Sequence, residues 1–267
     1  MRHLDLFSGI GGWALASREV WPEREMVGFV EIDPFCQKVL AKHFPNVRIH
    51  GDIKTLCPSA FGRIDLLTGS PPCQAASFAG QRRGTSDDRW LWDEYVRTVC
   101  VVRPTFFVAE NVLGVLSVGG GVPFESVLTR LEMEGYETVT IVLPACAVNA
   151  IHRRDRVWVV GHAKHDGRDG AEDTQSDLAR ADGDSKGQKQ VCQSQRTDRL
   201  RPFVATSNAD WSETTARTCR INDGLSRRMD RARRLKALGN SIVPQVAVEV
   251  LRGIGVISGN GQTDLAH

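Results

Sequence analysis

Short apolar runs alternate with longer helix-like segments along the first 163 residues of the chain. Four runs have the length of a buried strand, and each is followed by a segment with the apolar spacing of a helix. The strand runs cover residues 4–7, 27–31, 64–68 and 106–109, and the helix-like segments cover residues 14–20, 35–43, 90–102 and 124–134. Strands that alternate with helices predict an α/β fold with a mostly parallel sheet covered on both faces. Two further runs, at residues 138–143 and 156–160, predict a closing hairpin-like pair.

The composition of the chain changes after His162. Residues 164–206 are rich in Asp, Gly, Gln, Ser and Arg and contain few large apolar side chains, so they cannot fill a hydrophobic core. Residues 217–236 are strongly basic, with more arginine than lysine, which fits either a surface that contacts phosphates or a solvated helix face. A helix is predicted again at residues 245–254. We expect a domain at residues 1–163, a small polar and basic region at residues 164–236, and a C-terminal segment at residues 237–267.

The bulk composition excludes several classes of protein. The 267 residues are 41% hydrophobic and 25% charged, and no stretch approaches the roughly 18 uninterrupted apolar residues of a membrane span. The first residues lack the pattern of a secretion signal, so we expect a cytoplasmic protein with no membrane partner. The seven cysteines include no CxxC pair, which argues against a disulfide framework and a zinc site. A net charge of +2 does not by itself indicate nucleic acid.

A glycine-rich turn between the first strand and the first helix is a candidate ligand site. Glycines at positions 9, 11 and 12 allow the backbone to approach a ligand closely. Glu31 ends the next strand about twenty positions later, where a carboxylate accepts hydrogen bonds from ribose hydroxyls. The turn departs from GxGxxG and no phosphate-binding lysine follows it, so a nucleoside without a diphosphate fits better than a dinucleotide. Asp52, near the third strand, is a candidate for the amine of an adenine or, equally, for a helix cap.

Candidate catalytic residues lie at the ends of three of the strands. Cys73 lies in the run Gly-Ser-Pro-Pro-Cys-Gln, where two prolines fix a loop at the end of a predicted strand; a buried inert thiol is the alternative. Glu110 ends another strand at the same edge of the sheet, and a thiol beside a carboxyl acid matches covalent activation of a ring. Arg154 and Arg156 alternate, so they are predicted to face the same side of an extended chain. A solvated edge strand is the alternative for these arginines.

Taken together and in this order, the motifs resemble those of the DNA (cytosine-5)-methyltransferase family, specifically its compact bacterial and phage-like members. The resemblance covers residues 2–163 and 217–255. DLFSGIGG resembles the first cofactor motif, GSPPCQAAS the catalytic motif, EN the acid motif, HRRDR the arginine motif, GNSIVPQVA the closing motif, and GTSDDR the mobile loop after the nucleophile. The resemblance implies a Rossmann-like, S-adenosylmethionine-dependent methyltransferase fold with a small irregular target-recognition region.

The resemblance also implies roles for individual residues. The thiolate of Cys73 would add to C6 of a cytosine flipped out of the duplex, and Glu110 would hold or protonate N3. Arg156, with Arg154 beside it, would contact O2 and the nearby backbone. The cofactor would be bound by residues from several motifs: Phe7, Gly9, Gly11, Glu31, Asp52, Ile53, Pro72, Asn240 and Ser241.

The implied partner is double-stranded DNA. The resemblance assigns residues 1–163 to catalysis and cofactor binding, and residues 164–236 to target recognition. Residues 237–267 would return to the catalytic domain. DNA contacts are expected from the loop after the nucleophile and from the basic cluster, namely from Ser77, Arg89, Arg220, Arg227 and Arg228. We expect a monomer in the cytoplasm of a bacterium or of a phage-infected host cell.

The sequence departs from the family pattern at a few positions, and other functions compete with the main one. Ala76 stands where the family usually has Phe, and His152 where it often has Gln. A methyltransferase acting on a tRNA cytosine shares the nucleophile motif, although the CFT segment of that branch is absent. An amino-group methyltransferase would have an aromatic residue in place of Cys73. A catalytically silent DNA-binding protein is a further alternative, against which Cys73 and Glu110 both argue.

Overall fold

The fold is built on one mostly parallel sheet. The computed structural model describes residues 1–72, 90–164 and 230–257, and within these ranges seven strands form the sheet in the order β3-β2-β1-β4-β5-β7-β6. The strands are β1 Arg2–Leu6, β2 Glu25–Val30, β3 Ile49–His50, β4 Leu66–Gly69, β5 Phe106–Val112, β6 Tyr136–Leu143 and β7 Arg156–Ala163. Strands β1 to β5 are paired in parallel, and β7 runs antiparallel to both β5 and β6.

Helices follow most of the strands. The helices of the described ranges are α1 Gly12–Val20, α2 Pro34–His43, α3 Trp92–Val102, α4 Val122–Met133, α5 Asp230–Asn240 and α6 Pro244–Ile257. Short 3-10 turns lie at Ile53–Thr55, Pro58–Phe61, Leu113–Gly121 and Ala145–Val148. The predicted alternation of strands and helices is confirmed, and so is the hairpin-like pair, since β6 and β7 are antiparallel neighbours. No helix in the described ranges is both long enough and apolar enough to cross a membrane.

Hydrophobic cores lie on both faces of the sheet. On one face Leu67 and Phe107 of the sheet pack in a cluster with Trp92, Tyr95 and side chains of α4. On the other face the neighbouring residues Leu66 and Phe106 pack with α1 and α6. Successive strand residues point to opposite faces, so adjacent residues of one strand serve different cores. The predicted two-sided covering of the sheet is therefore confirmed.

A buried polar network joins strands β1 and β4. The ring of His3 lies 2.7 Å from the Thr68 hydroxyl, and this hydroxyl donates a 2.7 Å hydrogen bond to Asp5 Oδ1. The second oxygen of Asp5 is buried without a hydrogen-bond partner. Burial raises the pKa of Asp5 to about 8 and lowers the pKa of His3 to about 3. Burial therefore favours the neutral form of both side chains near pH 7.

The order of the strands fixes the place of a ligand site. From β1 the chain moves outward through β2 to β3 and then returns to place β4 on the opposite side of β1. In such sheets ligands bind outside the carboxyl ends of the strands at the point where the order reverses. The loops after β1, β2, β4 and β5 all reach this edge.

Candidate active site

The glycine turn after β1 has the backbone conformation that glycine permits. Phe7, Gly9 and Gly11 have φ angles of 53, 54 and 90°, and the amide of Ser8 donates to the carbonyl of Val30 on the neighbouring strand. A Cβ at Gly9 would meet nothing within 4 Å, whereas a Cβ at Gly11 would lie 3.0 Å from the ring of Phe44. The turn therefore presents an open backbone surface at Gly9 and is packed against the protein at Gly11.

Glu31 is held against this turn by two backbone amides. Its Oε2 accepts a 2.6 Å hydrogen bond from the amide of Gly9, and its Oε1 accepts one of 2.7 Å from the amide of Asp33. Burial raises the pKa of Glu31, and these two hydrogen bonds oppose the shift. A carboxylate oxygen has two acceptor sites, so each oxygen of Glu31 can accept one further hydrogen bond from a ligand.

Asp52 has the capping role that was one of the two alternatives from the sequence. Its Oδ1 accepts a 2.9 Å hydrogen bond from the amide of Lys54 and so caps the turn Ile53–Thr55. The residue also lines the cavity next to Glu31.

A cavity of about 420 Å³ joins these residues to those of β5 and β7. This volume lies within the range of small-molecule sites, roughly 300–1,000 Å³. Seven of the predicted cofactor residues line it: Phe7, Gly9, Glu31, Asp52, Ile53, Pro72 and Asn240. Gly11 and Ser241, which were also predicted, are not part of this lining. Glu110, Arg154 and Arg156 line the same cavity.

Glu110 forms the polar centre at the far side of the cavity. It lies in β5 with only 6% of its surface exposed. Arg156 Nε on β7 lies 2.9 Å from Glu110 Oε1, and the Ser70 side chain also hydrogen-bonds to the carboxyl group. Burial raises the pKa of Glu110, while Arg156, Ser70 and Arg154 oppose the shift. A buried carboxyl group with a raised pKa beside a fixed guanidinium is suited to hold a proton for a polar ring.

The two prolines that precede Cys73 are anchored from β5. The Asn111 side chain donates a 2.9 Å hydrogen bond to the carbonyl of Pro71 and accepts one of 2.9 Å from the amide of Val112. Asn111 was not among the site residues predicted from the sequence, although Asn111 directly follows Glu110. Its bond anchors the Pro71–Pro72 segment, which directly precedes Cys73 in the sequence.

Arg154 lines the cavity, but its backbone conformation differs from the predicted one. The prediction of an extended chain at the two arginines is wrong at this position, because Arg154 has a φ of 39°. Its Nη2 donates hydrogen bonds of 2.9 Å to the carbonyl of Gly239 and of 2.7 Å to the carbonyl of Ser241. Burial lowers the pKa of Arg154, as does the charge of Arg156. Arg154 thus connects the arginine segment to the turn between α5 and α6.

Several cavity residues were not among the predicted site residues. Ile32 directly follows Glu31 and is 71% exposed, which makes it an apolar surface next to the carboxylate. Lys236 on α5 has its Nζ 3.9 Å from Asp33 Oδ2. The signal for Ile32 was its position at the end of β2, whereas Lys236 was predicted only as part of the basic run at residues 217–236. The other additional lining residues are Val30, Asp33, Cys36, Gly51, Ser70, Pro71, Leu91, Asn111, Val112, Ala237 and Gly239.

Some predicted residues lie outside the described ranges. These are Cys73, Ser77, Arg89, Arg220, Arg227 and Arg228, together with Ala76. The predicted target-recognition region at 164–236 is likewise described only at its two ends. The roles of these residues and the domain boundaries remain predictions.

Comparison with known proteins identifies the family of the chain. A family model described as C-5 cytosine-specific DNA methylase matches residues 1–228. The orphan methyltransferase M.SPRI of Bacillus phage SPR is 30% identical over 86% of this chain and 51% of its own length. The type II methyltransferase M.HgiCII of Herpetosiphon aurantiacus is 35% identical over 60% of this chain and 37% of its own. The chain therefore spans about half of the phage relative and less of the bacterial one.

Solved structures give the same fold. A mutant of Spodoptera frugiperda DNMT2 superposes with a TM-score of 0.52 at 21% identity, covering 65% of this chain and 53% of that one. The architecture is accordingly the Rossmann-like fold of S-adenosylmethionine-dependent methyltransferases. Because this family model matches residues 1–228 of the chain, the chain belongs to the C-5 cytosine-specific DNA methylase family.

Proposed function

We propose that the protein is a DNA (cytosine-5)-methyltransferase, which transfers a methyl group from S-adenosylmethionine to C5 of a cytosine flipped out of duplex DNA. The observation that carries this proposal is the ion pair between the buried Glu110 and the partly exposed Arg156, whose Oε1 and Nε lie 2.9 Å apart. The pair lies in the same cavity as the glycine turn and Glu31. One cavity can therefore receive both a nucleoside cofactor and a polar ring.

The residues at one end of the cavity fit S-adenosylmethionine. Glu31 is oriented by the amides of Gly9 and Asp33 and has acceptor sites left for the two ribose hydroxyls. Ile32 offers an exposed apolar surface to an adenine ring, and Asp52 has an oxygen available for its amine. The open backbone at Gly9 and the side chain of Asn240 would complete the contacts. When bound, this cofactor supplies an electrophilic methyl group on a sulfonium.

At the other end Cys73 would act as the nucleophile. A bond from its thiolate sulfur to C6 of the cytosine places the electron pair of the C5–C6 double bond at C5, which can then take the methyl group. Afterwards the C5 proton leaves to a base and the S–C6 bond breaks, which restores the double bond and the thiolate. The bond from Asn111 to Pro71 supports this role because it orients the chain just before Cys73.

Glu110 and Arg156 would stabilise the charge that develops on the ring. Addition at C6 makes N3 more basic, and burial raises the pKa of the Glu110 carboxyl group, which suits this group to share a proton with N3. Arg156 is fixed by Glu110 and can donate to O2 from its remaining N–H groups. Truncating Arg156 would leave the buried carboxyl group of Glu110 without its ion-pair partner.

The substrate is proposed to be DNA rather than RNA. The similar phage and bacterial proteins are named orphan or type II methyltransferases, and the matching family model is named for DNA. C6 of a stacked cytosine is inaccessible, so the base must leave the duplex, at a cost of a few kcal/mol. The roles of Ser77, Arg89, Arg220, Arg227 and Arg228 in holding the DNA belong to this proposal.

Trapping of the covalent bond tests the proposal. In DNA that contains 5-fluorocytosine, the fluorine cannot leave as the C5 proton does, so the S–C6 bond persists after methyl transfer. We expect a protein–DNA band that survives denaturing electrophoresis and requires S-adenosylmethionine. Cys73→Ser should abolish the band, and Cys146→Ser, which alters an exposed cysteine, should not. The mechanism fails if the band is absent from the wild type or persists in Cys73→Ser.

A further inference from the structure

Two side chains that no step of the proposed reaction uses connect the first helix to Glu110. Trp13, the second residue of α1, donates a hydrogen bond of 3.2 Å from its indole Nε1 to Ser70 Oγ. Ser70 and Glu110 line the same cavity, and hydrogen bonding from the Ser70 side chain opposes the rise in the pKa of the Glu110 carboxyl group. We infer that Trp13 and Ser70 are positioning residues, which fix Glu110 and keep a hydrogen-bond donor directed at its carboxylate. The inference rests on the proposed function, because it assigns Glu110 a proton to share with the base.

The direction of the hydrogen bonds follows from the chemistry of the groups. An indole N–H can only donate, whereas a serine hydroxyl can donate and accept. Since Ser70 Oγ accepts from Trp13, its own proton is free to be donated to Glu110. Without the indole, the hydroxyl could rotate and accept elsewhere. Trp13 thus makes Ser70 a persistent donor to the carboxylate.

The indole of Trp13 is itself held rigidly. It is 2% exposed and packs edge-on against Trp158, with ring centroids 5.5 Å apart and an interplanar angle of 81°. Trp158 lies directly opposite Glu110 in the pairing of β5 with β7, and β7 also carries Arg156. The same strand therefore holds both the guanidinium that binds Glu110 and the ring that supports Trp13.

The groups around Glu110 divide into charged and neutral ones. Among the described residues, the charges that act on its carboxyl are those of Arg156 and Arg154, from β7 and the segment before it. The donor from the β4 side, Ser70, is neutral, as is the indole behind it. Arg156 contacts Oε1, so removal of Ser70 leaves the ion pair in place and changes only the neutral donor.

The alkaline limb of the pH profile of kcat is the measurement that tests this role. Glu110 must be protonated to share a proton with the base, so activity falls as the pH rises through its pKa. Loss of a donor to the carboxylate destabilises the ionised form, which moves the limb to higher pH. A hydrogen bond to a charged group has a strength that corresponds to about one pH unit. We expect this shift in both Ser70→Ala and Trp13→Phe, with kcat at the optimum lowered about tenfold.

Matched variants separate this role from a merely structural one. Ser70→Thr keeps the hydroxyl and should keep the limb of the wild type. Trp21→Phe removes an indole at the C-terminal end of α1, outside the cavity lining, and should also leave the limb unchanged. If Ser70→Ala does not fold, the pH profile of Trp13→Phe tests the inference by itself. This variant keeps an aromatic ring packed against Trp158 and is therefore expected to fold. Limbs of Ser70→Ala and Trp13→Phe that coincide with the wild type overturn the inference, whereas a wild type without methyl transfer overturns the proposed function instead.

Discussion

Arg154 Nη2 lies 2.7 Å from the carbonyl oxygen of Ser241, although 87 positions separate the two residues in the chain. A second bond, to the carbonyl of Gly239, completes the link. Through it the turn between α5 and α6 becomes one wall of the cavity, where Asn240 is exposed to a ligand. Arg154 is thus a connection between the arginine segment and the C-terminal helices, and Arg156 is the arginine that pairs with Glu110, the proposed acid.

Replacement of Arg154 is therefore expected to affect cofactor binding. Arg154→Ala removes two charge-assisted hydrogen bonds, each worth about 1.5–3 kcal/mol in favourable settings and less at this partly exposed site. We expect the affinity for S-adenosylhomocysteine, measured by calorimetry, to fall about tenfold. Arg153→Ala changes a neighbouring exposed arginine and should bind like the wild type. Equal affinities in the two variants would contradict the role of Arg154.

The carboxylate of Glu31 should be as important as Arg154 for the affinity of the cofactor. In Glu31→Gln one amide N–H₂ would face a backbone N–H of Gly9 or Asp33, so two donors would oppose each other. We expect binding of S-adenosylhomocysteine to weaken by tenfold or more. Glu23→Gln, at an exposed position, is the control. Unchanged binding in Glu31→Gln would remove this residue from the cofactor site.

Replacement of Glu110 should slow methyl transfer without weakening cofactor binding. Glu110→Gln retains the size of the side chain but has no acidic proton, and general acid catalysis typically contributes 10²–10⁴-fold. We expect single-turnover methyl transfer to slow by about 10²-fold or more with little change in cofactor affinity. Glu137→Gln alters an exposed residue of β6 and should leave the rate unchanged. A rate like that of the wild type in Glu110→Gln would exclude it as the acid.

Asp5 should make the stability of the fold depend on pH. Burial raises its pKa to about 8 from an ordinary 3.8, so the folded state binds this proton more tightly than the unfolded chain. The contribution of Asp5 to stability is fully present below about pH 4 and is lost as the pH rises toward 8. Asp5→Asn stays neutral, so its melting temperature relative to the wild type should rise between pH 5 and pH 8. His3 is present in both proteins and cancels in the comparison.

The control for this prediction is Asp93→Asn, at an exposed carboxylate on α3. Its difference from the wild type should not follow the pH dependence of Asp5→Asn. A difference between Asp5→Asn and the wild type that is the same at pH 5 and pH 8 would show that Asp5 has no raised pKa.

The parts of the structure that depend on local pattern were predictable from the sequence. Apolar periodicity places strands and helices, and the rule that functional residues follow parallel strands brings Glu31 and Glu110 to one edge. The cavity residues Asp52, Pro72 and Asn240 were likewise identified by their motifs. For these residues the local sequence carries enough information.

Contacts between distant segments could not be predicted in the same way. The bond of Arg154 to Ser241 needs a positive φ at a residue other than glycine, which no alternating pattern indicates. The bond of Asn111 to Pro71 crosses 40 positions, and that of Trp13 to Ser70 crosses 57. Such partners are determined by the packing of the sheet and helices, so the sequence identified the residues of the site more completely than the connections between them.

Transfer of tritiated methyl groups from S-adenosylmethionine tests the central proposal most directly. The acceptors are duplex DNA from cells without cytosine methylation and, in parallel, tRNA, and each product is hydrolysed to nucleosides and separated by chromatography. We predict that the wild type places the label in 5-methyldeoxycytidine of the DNA and that Cys73→Ser places none. Label found only in tRNA, in an amino-methylated base, or still in the DNA after Cys73→Ser would contradict the proposal.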